Sequence, residues 1–444
     1  MSLPLNETHD PGVKSWVDSA NRPGCDFPLQ NLPLGICRAR RGQAAPRVFT
    51  AIGNLALDIA GARADGLLGG LPDAVVDACA APILNKLMAL GQPASSALRR
   101  QLHQLLRDGG GSAPGSRDAA KKHLLPLAEI ELFLPAWIGD YTDFYASIHH
   151  AARVGSLFRP NEPLLPNYKW LPVAYHGRAS SIVISGTPVV RPRGQTHTAS
   201  LGGVEFRPTE RLDYELEVGF YTGPANPLGS AIHIQDAESH VFGLSLVNDW
   251  SARDIQTWEY QPLGPFLAKN FCTTVSPWVV TLEALAPFRS RALPRRQDDP
   301  APLPHLFSAQ DQESGGIDLT LEVRLLSERM RQQGCEPMLV SSGNFREMYW
   351  TIAQMLAHHT SNGCNLRPGD LIASGTVSGA SEQSRGCLLE LTSGGAVPIS
   401  LPTGEKRRFL EDGDEVIFRG YCESPTAARI GFGECRGVVQ PAIA

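Results

Sequence analysis

Long apolar runs are missing from this chain of 444 residues. None approaches the roughly 20 residues that a membrane-spanning helix needs, so no membrane partner is expected. The stretch Met1 to Asp10 has neither a basic n-region nor an apolar h-region, which argues against a secretory signal. A basic excess is missing too: the formal net charge is −5, and no nucleic-acid partner is expected. The nine cysteines, at 25, 37, 79, 272, 335, 364, 387, 422 and 435, are odd in number and widely spaced, with no C-x-x-C pair. That argues against a zinc cage or a thioredoxin-type site. It reads instead as the reduced thiols of a cytoplasmic protein, packed as small core residues. There is no G-x-S-x-G elbow, no H-E-x-x-H and no P-loop, so a serine triad, a zincin and a P-loop NTPase are unsupported. The stretch Gly431 to Gly437 is one residue too long for a dinucleotide fingerprint and has no βαβ context.

What is present can build a sizeable core: hydrophobic residues are 42% and charged residues 19%, which is not the balance of a disordered chain. Short strand-like runs open the chain at Leu34 to Cys37 and Arg47 to Gly53. Between Pro93 and Arg107, Leu98, Leu102, Leu105 and Leu106 fall at helical spacing. Asp108 to Ser116 reads as a loop, and helix-like sequence resumes from Arg117 to Pro126. A domain boundary is expected near 130, giving units 1–130 and 131–444. Beyond it, strand-like runs between Gly/Pro turns recur at Ser181 to Ser185, Tyr214 to Tyr221, Phe242 to Val247, Val279 to Leu282, Leu319 to Leu325, Leu388 to Leu391 and Glu415 to Phe418. One helix is expected after Phe345, with Met348, Ile352, Met355 and Leu356 as its apolar stripe. The fold class is mainly β with some helix (α+β), the larger unit being a curled sandwich or roll.

Three stretches carry the chemistry. In Asp213 to Phe220 the side chains alternate, so Tyr214, Leu216, Val218 and Phe220 face a core while Asp213, Glu215 and Glu217 share the opposite face. Three adjacent carboxylates repel one another, and either a bound cation or plain solvation would relieve them. All-oxygen donors favour Mg²⁺ or Ca²⁺ over zinc or copper. In the second stretch an apolar strand ends at Asp249. Ser251 with Asp254 resembles a capping box, which predicts a helix presenting Arg253, Gln256 and Tyr260 on one face. The third stretch, helical from about Asp143, would align Asp143, Ser147 and His150, and a neutral histidine near a metal is a natural general base. His358 and His359 read as structural.

Taken together, the motifs GDYTDFY (139–145), LPVAYHGRASSIVISGTP (171–188), LDYELEV (212–218), NDWSARDIQTWEYQPLGPFLAKNF (248–271), TTVSPWVV (273–280), NGCNLRPGDLIASGTVSG (362–379) and DGDEV (412–416) resemble the fumarylacetoacetase family. The resemblance runs over nearly the whole chain, including Phe27 to Pro33. It implies an N-terminal SH3-like barrel, a C-terminal β-roll, a homodimer and a small-molecule substrate. The implied reaction is hydrolysis of a carbon–carbon bond in the β-diketo acid 4-fumarylacetoacetate, the last step of tyrosine and phenylalanine breakdown, with a divalent Mg²⁺ or Ca²⁺ ion. Carried over by motif, Asp143, Glu215, Glu217 and Asp249 would hold the metal, with Lys269 and Thr273 in a second metal region beside it. His150 would be the base and Glu390 its orienting carboxylate. Arg253, Gln256 and Lys269 would hold oxygens of substrate and transition state, and Tyr145, Arg159, Tyr175, Gln256, Tyr260 and Thr376 would contact substrate. The chain departs from the pattern at Cys272, where a glycine is expected, and across His197 to Phe206 and 83–131. An acylpyruvase, hydratase or decarboxylase of the same superfamily, and an inert metal-binding protein on the same scaffold, stand as the alternatives.

Overall fold

A computed structural model describes residues 3–41, 44–110, 115–198 and 202–443. The early apolar runs pair mostly with near neighbours in sequence. Strands β1 (Leu34–Ala39), β2 (Arg47–Ile52) and β3 (Leu55–Asp58) form a meander. Helix α1 (Gly91–Leu106) follows, and β4 (Leu124–Pro126) and β5 (Ile130–Phe133) complete one antiparallel sheet in the order β4–β3–β2–β1–β5. The sheet therefore continues past the boundary expected at 130. Only Ser116–Lys121 of the expected 117–126 helix is helical, and the rest supplies β4. Of the loop expected at Asp108 to Ser116, residues 111–114 lie outside the described residues.

The larger region begins with β6 (Tyr141–Phe144), α2 (Ile148–Phe158), β7 (Ala174–Gly177) and β8 (Ile182–Ile184). Next come β9 (Leu216–Thr222), β10 (Val241–Asp249), α3 (Arg253–Glu259) and β11 (Thr273–Val275). The last third supplies β12 (Thr320–Leu326), β13 (Met338–Asn344), α4 (Ile352–Thr360), β14 (Leu371–Ala373), α5 (Leu388–Leu391), β15 (Glu415–Ser424) and β16 (Ala427–Gln440). The main sheet runs β7–β6–β14–β9–β10–β11–β8, with Val280–Thr281 also paired to β10. A second sheet runs β13–β12–β15–β16 and ends on Val189–Val190.

Every residue of β9 and β10 is buried, because both faces of the main sheet are covered. On one face Leu216, Val218, Phe220, Leu244 and Leu246 share a core with Leu321, Val323, Phe418 and Phe432 of the second sheet. On the other, Tyr221, Val247 and Val275 pack in one cluster with Leu98, Leu102 and Leu105 of α1. The mainly β fold with some helix holds, and two local expectations do not. Leu388 to Leu391 is a one-turn helix and not a strand. Met348 precedes α4, whose capping box is made by Thr351 and Gln354. The 197–206 departure belongs to a hairpin, Arg193–Thr198 with Gly203–Pro208, whose connection at 199–201 lies outside the described residues.

Candidate active site

The ends of four main-sheet elements converge on one cavity of about 410 Å³. Asp143 sits on β6, a strand held between β14 and β7, so it does not share a helical face with His150 as the spacing suggests. The chain turns after Phe144, and Ser147 caps α2 by accepting from the His150 backbone N–H at 3.2 Å. His150 therefore lies in the first turn of α2. The close passage of 374–376 beside β6 depends on Gly375. Its φ is +74°, and a Cβ there would lie 2.1 Å from the Phe144 carbonyl oxygen.

The alternation read in Asp213 to Phe220 is right about faces. The carboxylate face, however, is not solvated: Asp213, Glu215 and Glu217 are all buried. The strand breaks at this point, with Leu212–Asp213 pairing to Ser251–Ala252 and β9 beginning at Leu216. Asp213 accepts from Arg253 Nε at 2.9 Å and from the backbone N–H groups of Leu388 and Leu389 at 2.8 and 2.9 Å. It thus ties α3 to α5. The capping box expected of Ser251 and Asp254 is not formed. Ala252 occupies the N-cap of α3, the Ser251 hydroxyl donates to the Asp249 carbonyl, and Asp254 accepts from Thr209 and the Glu210 N–H.

Asp143, Glu215, Glu217 and Asp249 place one oxygen each within 4.8 Å of all the others, and all four are buried. Their oxygens are unequally satisfied. Asp249 accepts from Thr273 Oγ1 (2.9 Å), Tyr175 OH (2.7 Å) and Lys269 Nζ (2.8 Å). Glu215 is held by Arg253 Nη1 at 2.8 Å and by Lys269. Among the described residues, neither oxygen of Glu217, nor Oδ1 of Asp143, has a donor. Burial pushes Asp143 and Glu217 well above the usual carboxylate range, and the neighbouring carboxylates push the same way. Burial acts on Glu215 too, but Lys269 and Arg253 overcome it and hold this group below that range. Five carboxylates, counting Asp213, face the two cations Lys269 and Arg253, so negative charge is in surplus. Buried, converging oxygen atoms without donors fit a hard divalent cation. An ammonium nitrogen has no lone pair, so Lys269 enters this cluster as a counter-charge and not as a ligand.

Beside the cluster, His150 Nδ1 lies 2.7 Å from Glu390 Oε2. The same oxygen accepts from Ser378 Oγ at 2.7 Å and lies 3.4 Å from Cys387 Sγ. Burial acts against the Glu390 charge, yet His150, Ser378 and Arg153 push this carboxyl down to about 2. Asp143, Tyr145, His150, Arg159, Tyr175, Glu215, Arg253, Gln256, Tyr260, Lys269 and Thr376 all line the cavity. Glu217, Asp249, Thr273 and Glu390 stand behind these side chains. Tyr145 meets the His150 ring edge-on at 5.3 Å, and Arg253 Nη1 donates to Gln256 Oε1 at 3.1 Å. Arg253 Nη2, Arg159 Nε and Thr376 Oγ1 are buried polar atoms without partners among the described residues. Ser378 and Arg153 were missed by sequence reasoning. Arg153 stands three residues from His150 on one helix, a spacing that places the two on neighbouring positions. Ser378 gave no local signal.

The chain matches two family models: fumarylacetoacetate hydrolase C-terminal over residues 141–440, and fumarylacetoacetase N-terminal over 30–135. It is 47% identical over 433 residues to a fumarylacetoacetase of Arabidopsis thaliana, covering 97% of this chain and 99% of that one. The Homo sapiens fumarylacetoacetase is 47% identical over 419 residues, with 94% and 97% covered. A solved fumarylacetoacetate hydrolase from psychrophilic Exiguobacterium antarcticum shares the fold at 17% identity and a TM-score of 0.50, over 92% of this chain and 99% of that one. With family models spanning most of the chain and relatives nearly half identical from end to end, this chain belongs to the fumarylacetoacetase family of hydrolases.

Proposed function

We propose that the chain hydrolyses 4-fumarylacetoacetate to fumarate and acetoacetate, the closing step of tyrosine and phenylalanine breakdown, with Mg²⁺ or Ca²⁺ at the Asp143–Glu215–Glu217–Asp249 cluster. The observation that carries this reading is one cavity bordered by a histidine–carboxylate pair, a set of unsatisfied buried carboxylates and cationic donors. It stands in a chain 47% identical to fumarylacetoacetases over nearly its whole length. The donor set suits a hard cation, which when bound supplies Lewis-acid polarisation of a carbonyl. Glu390 accepts the His150 Nδ1 proton and leaves Nε2 with its lone pair free to act as base. His150 takes a proton from water, and the hydroxide adds to the carbonyl beside the fumaryl group. Arg253, through its unpartnered Nη2, together with Gln256 and Lys269, donates to the oxyanion; such donors are typically worth about 2.7–4 kcal/mol each. The carbon–carbon bond then breaks, its electron pair leaves with the acetoacetate fragment, and the proton held by His150 is returned to that carbon. Arg159, Tyr145, Tyr175, Tyr260 and Thr376 hold the substrate, and Thr273 steadies Asp249.

Nine free cysteines suit a reducing cytoplasm, and no described helix is long and apolar enough to cross a membrane. The assembly expected of the family is a homodimer. The decisive experiment follows fumarylacetoacetate loss with Mg²⁺ or Ca²⁺ and again after chelation. Fast loss that stops on chelation is the expected result. Folded protein that is inert with either ion would move the substrate to another keto acid.

A further inference from the structure

Glu390 has two oxygens with different company. Oε2 is engaged by His150, Ser378 and Cys387. Among the described residues, Oε1 is met by one donor, Arg153 Nη1, at 3.3 Å. Arg153 stands on α2, three residues after His150. Its other nitrogen, Nη2, donates to the carbonyls of Gly379 and Ala380 at 2.8 Å each and of Ser381 at 3.3 Å. Those carbonyls directly follow Ser378, so one guanidinium grips the carboxylate and also the segment that carries the carboxylate's hydroxyl donor. The Glu390 side chain is fully buried, whereas that of Arg153 is 24% exposed and sits at the outer side of the pair.

We propose that Arg153 is a positioning residue of the hydrolytic site, fixing from behind the carboxylate that orients His150 and keeping part of its charge from the imidazole. The proposal rests on the reading of His150 as base, but the geometry that motivates it does not. A guanidinium fork suits this place because one plane offers separate N–H groups to a carboxylate and to backbone carbonyls. Among the described residues, the charged and titratable groups that share the imidazole's cluster or its side of the cavity include Glu390 and Cys387 near α5, Glu215 at the start of β9, Arg253 on α3, the edge-on Tyr145, and Arg153 behind Glu390. Arg385 adds a bond to the Glu390 backbone carbonyl at 3.1 Å. Without Arg153, the full Glu390 charge falls on His150 and stabilises the imidazolium.

The test compares Arg153→Met and Arg153→Lys with the unaltered full chain. It reads the His150 imidazole by NMR in histidine-labelled protein and, separately, the acidic limb of kcat/KM. In Arg153→Met both midpoints should rise by about half a pH unit or more, with kcat falling further than KM changes. Arg153→Lys, which keeps the charge and loses the fork, should fall between. A His150 midpoint in folded Arg153→Met equal to that of the unaltered protein overturns the proposal. If His150→Ala retains normal turnover, the base assignment fails, while the NMR midpoint still decides whether Arg153 controls the imidazole.

Discussion

Glu390 and Glu217 are both glutamates buried in the same half of the molecule, and their surroundings push them in opposite directions. Glu390 has a histidine, a serine hydroxyl and an arginine, and is held down at about 2. Glu217 has no donor at either oxygen among the described residues and is raised well above the usual range. Burial opposes both charges equally in kind, so the partners decide the sign. The difference separates a carboxylate that the chain completes by itself from one that no described donor meets.

Substitutions can break that comparison, and the largest effect is expected on turnover. His150→Ala should lower kcat by about 10³-fold or more while calorimetric titration still finds the divalent cation bound, since His150 is not among the four converging carboxylates. Unchanged cation binding with lost turnover separates the two halves of the site. Next in size is Glu390→Gln, which strands His150 and Arg153 together. Thermal unfolding should show a loss of about 3 kcal/mol, a magnitude typical of a broken buried pair. Glu217→Gln should have the opposite sign in metal-free protein once the pH is high enough to ionise Glu217, a gain of about 1 kcal/mol, because a neutral amide then replaces a buried charge that no described donor meets. It should also weaken cation binding. A stability loss in metal-free Glu217→Gln would erase the contrast.

The smallest effect is on pH dependence, where the two groups also diverge. Glu390 has a folded-state value below its ordinary 4.5, so its contribution is complete above that value and is lost as the pH falls towards 2. Glu217 and Asp143 are raised. In metal-free protein their neutral forms are favoured, and stability should decline as the pH climbs from the ordinary carboxylate range through their elevated values. Melting temperatures from pH 3 to 8, with and without Mg²⁺ or Ca²⁺, should show that upper decline only without the cation.

The same contrast marks what the sequence could disclose. The alternation of Asp213 to Phe220 is a local signal, and it correctly divides core from carboxylate face. The destination of that face was not local, because its burial comes from strands and helices far along the chain. Asp143 was misread as helical. A four-residue strand between partners at 174–177 and 371–373 leaves no periodicity of its own. The strand expected at Leu388 to Leu391 failed for a related reason: four residues are too few for pattern to tell helix from strand, and the bonds at their start come from Asp213. Long motifs supplied the candidate site residues. Ser378 and Arg153 emerged only when the fold brought 378–381 against α2.

The position of β6 has a consequence for the making of the protein. Its parallel neighbour, β14, is synthesised more than two hundred residues later, and the partner of His150 later still. While the chain is growing, Asp143 can be flanked by β7 on one side only, and His150 has no carboxylate to face. A nascent or prematurely released polypeptide can complete its N-terminal sheet and pair β9 with β10, yet it lacks β14 and the carboxylate partner of His150. Asp143 gains the second neighbour of its strand, and His150 its carboxylate, only when the last third of the chain closes over a strand laid down long before.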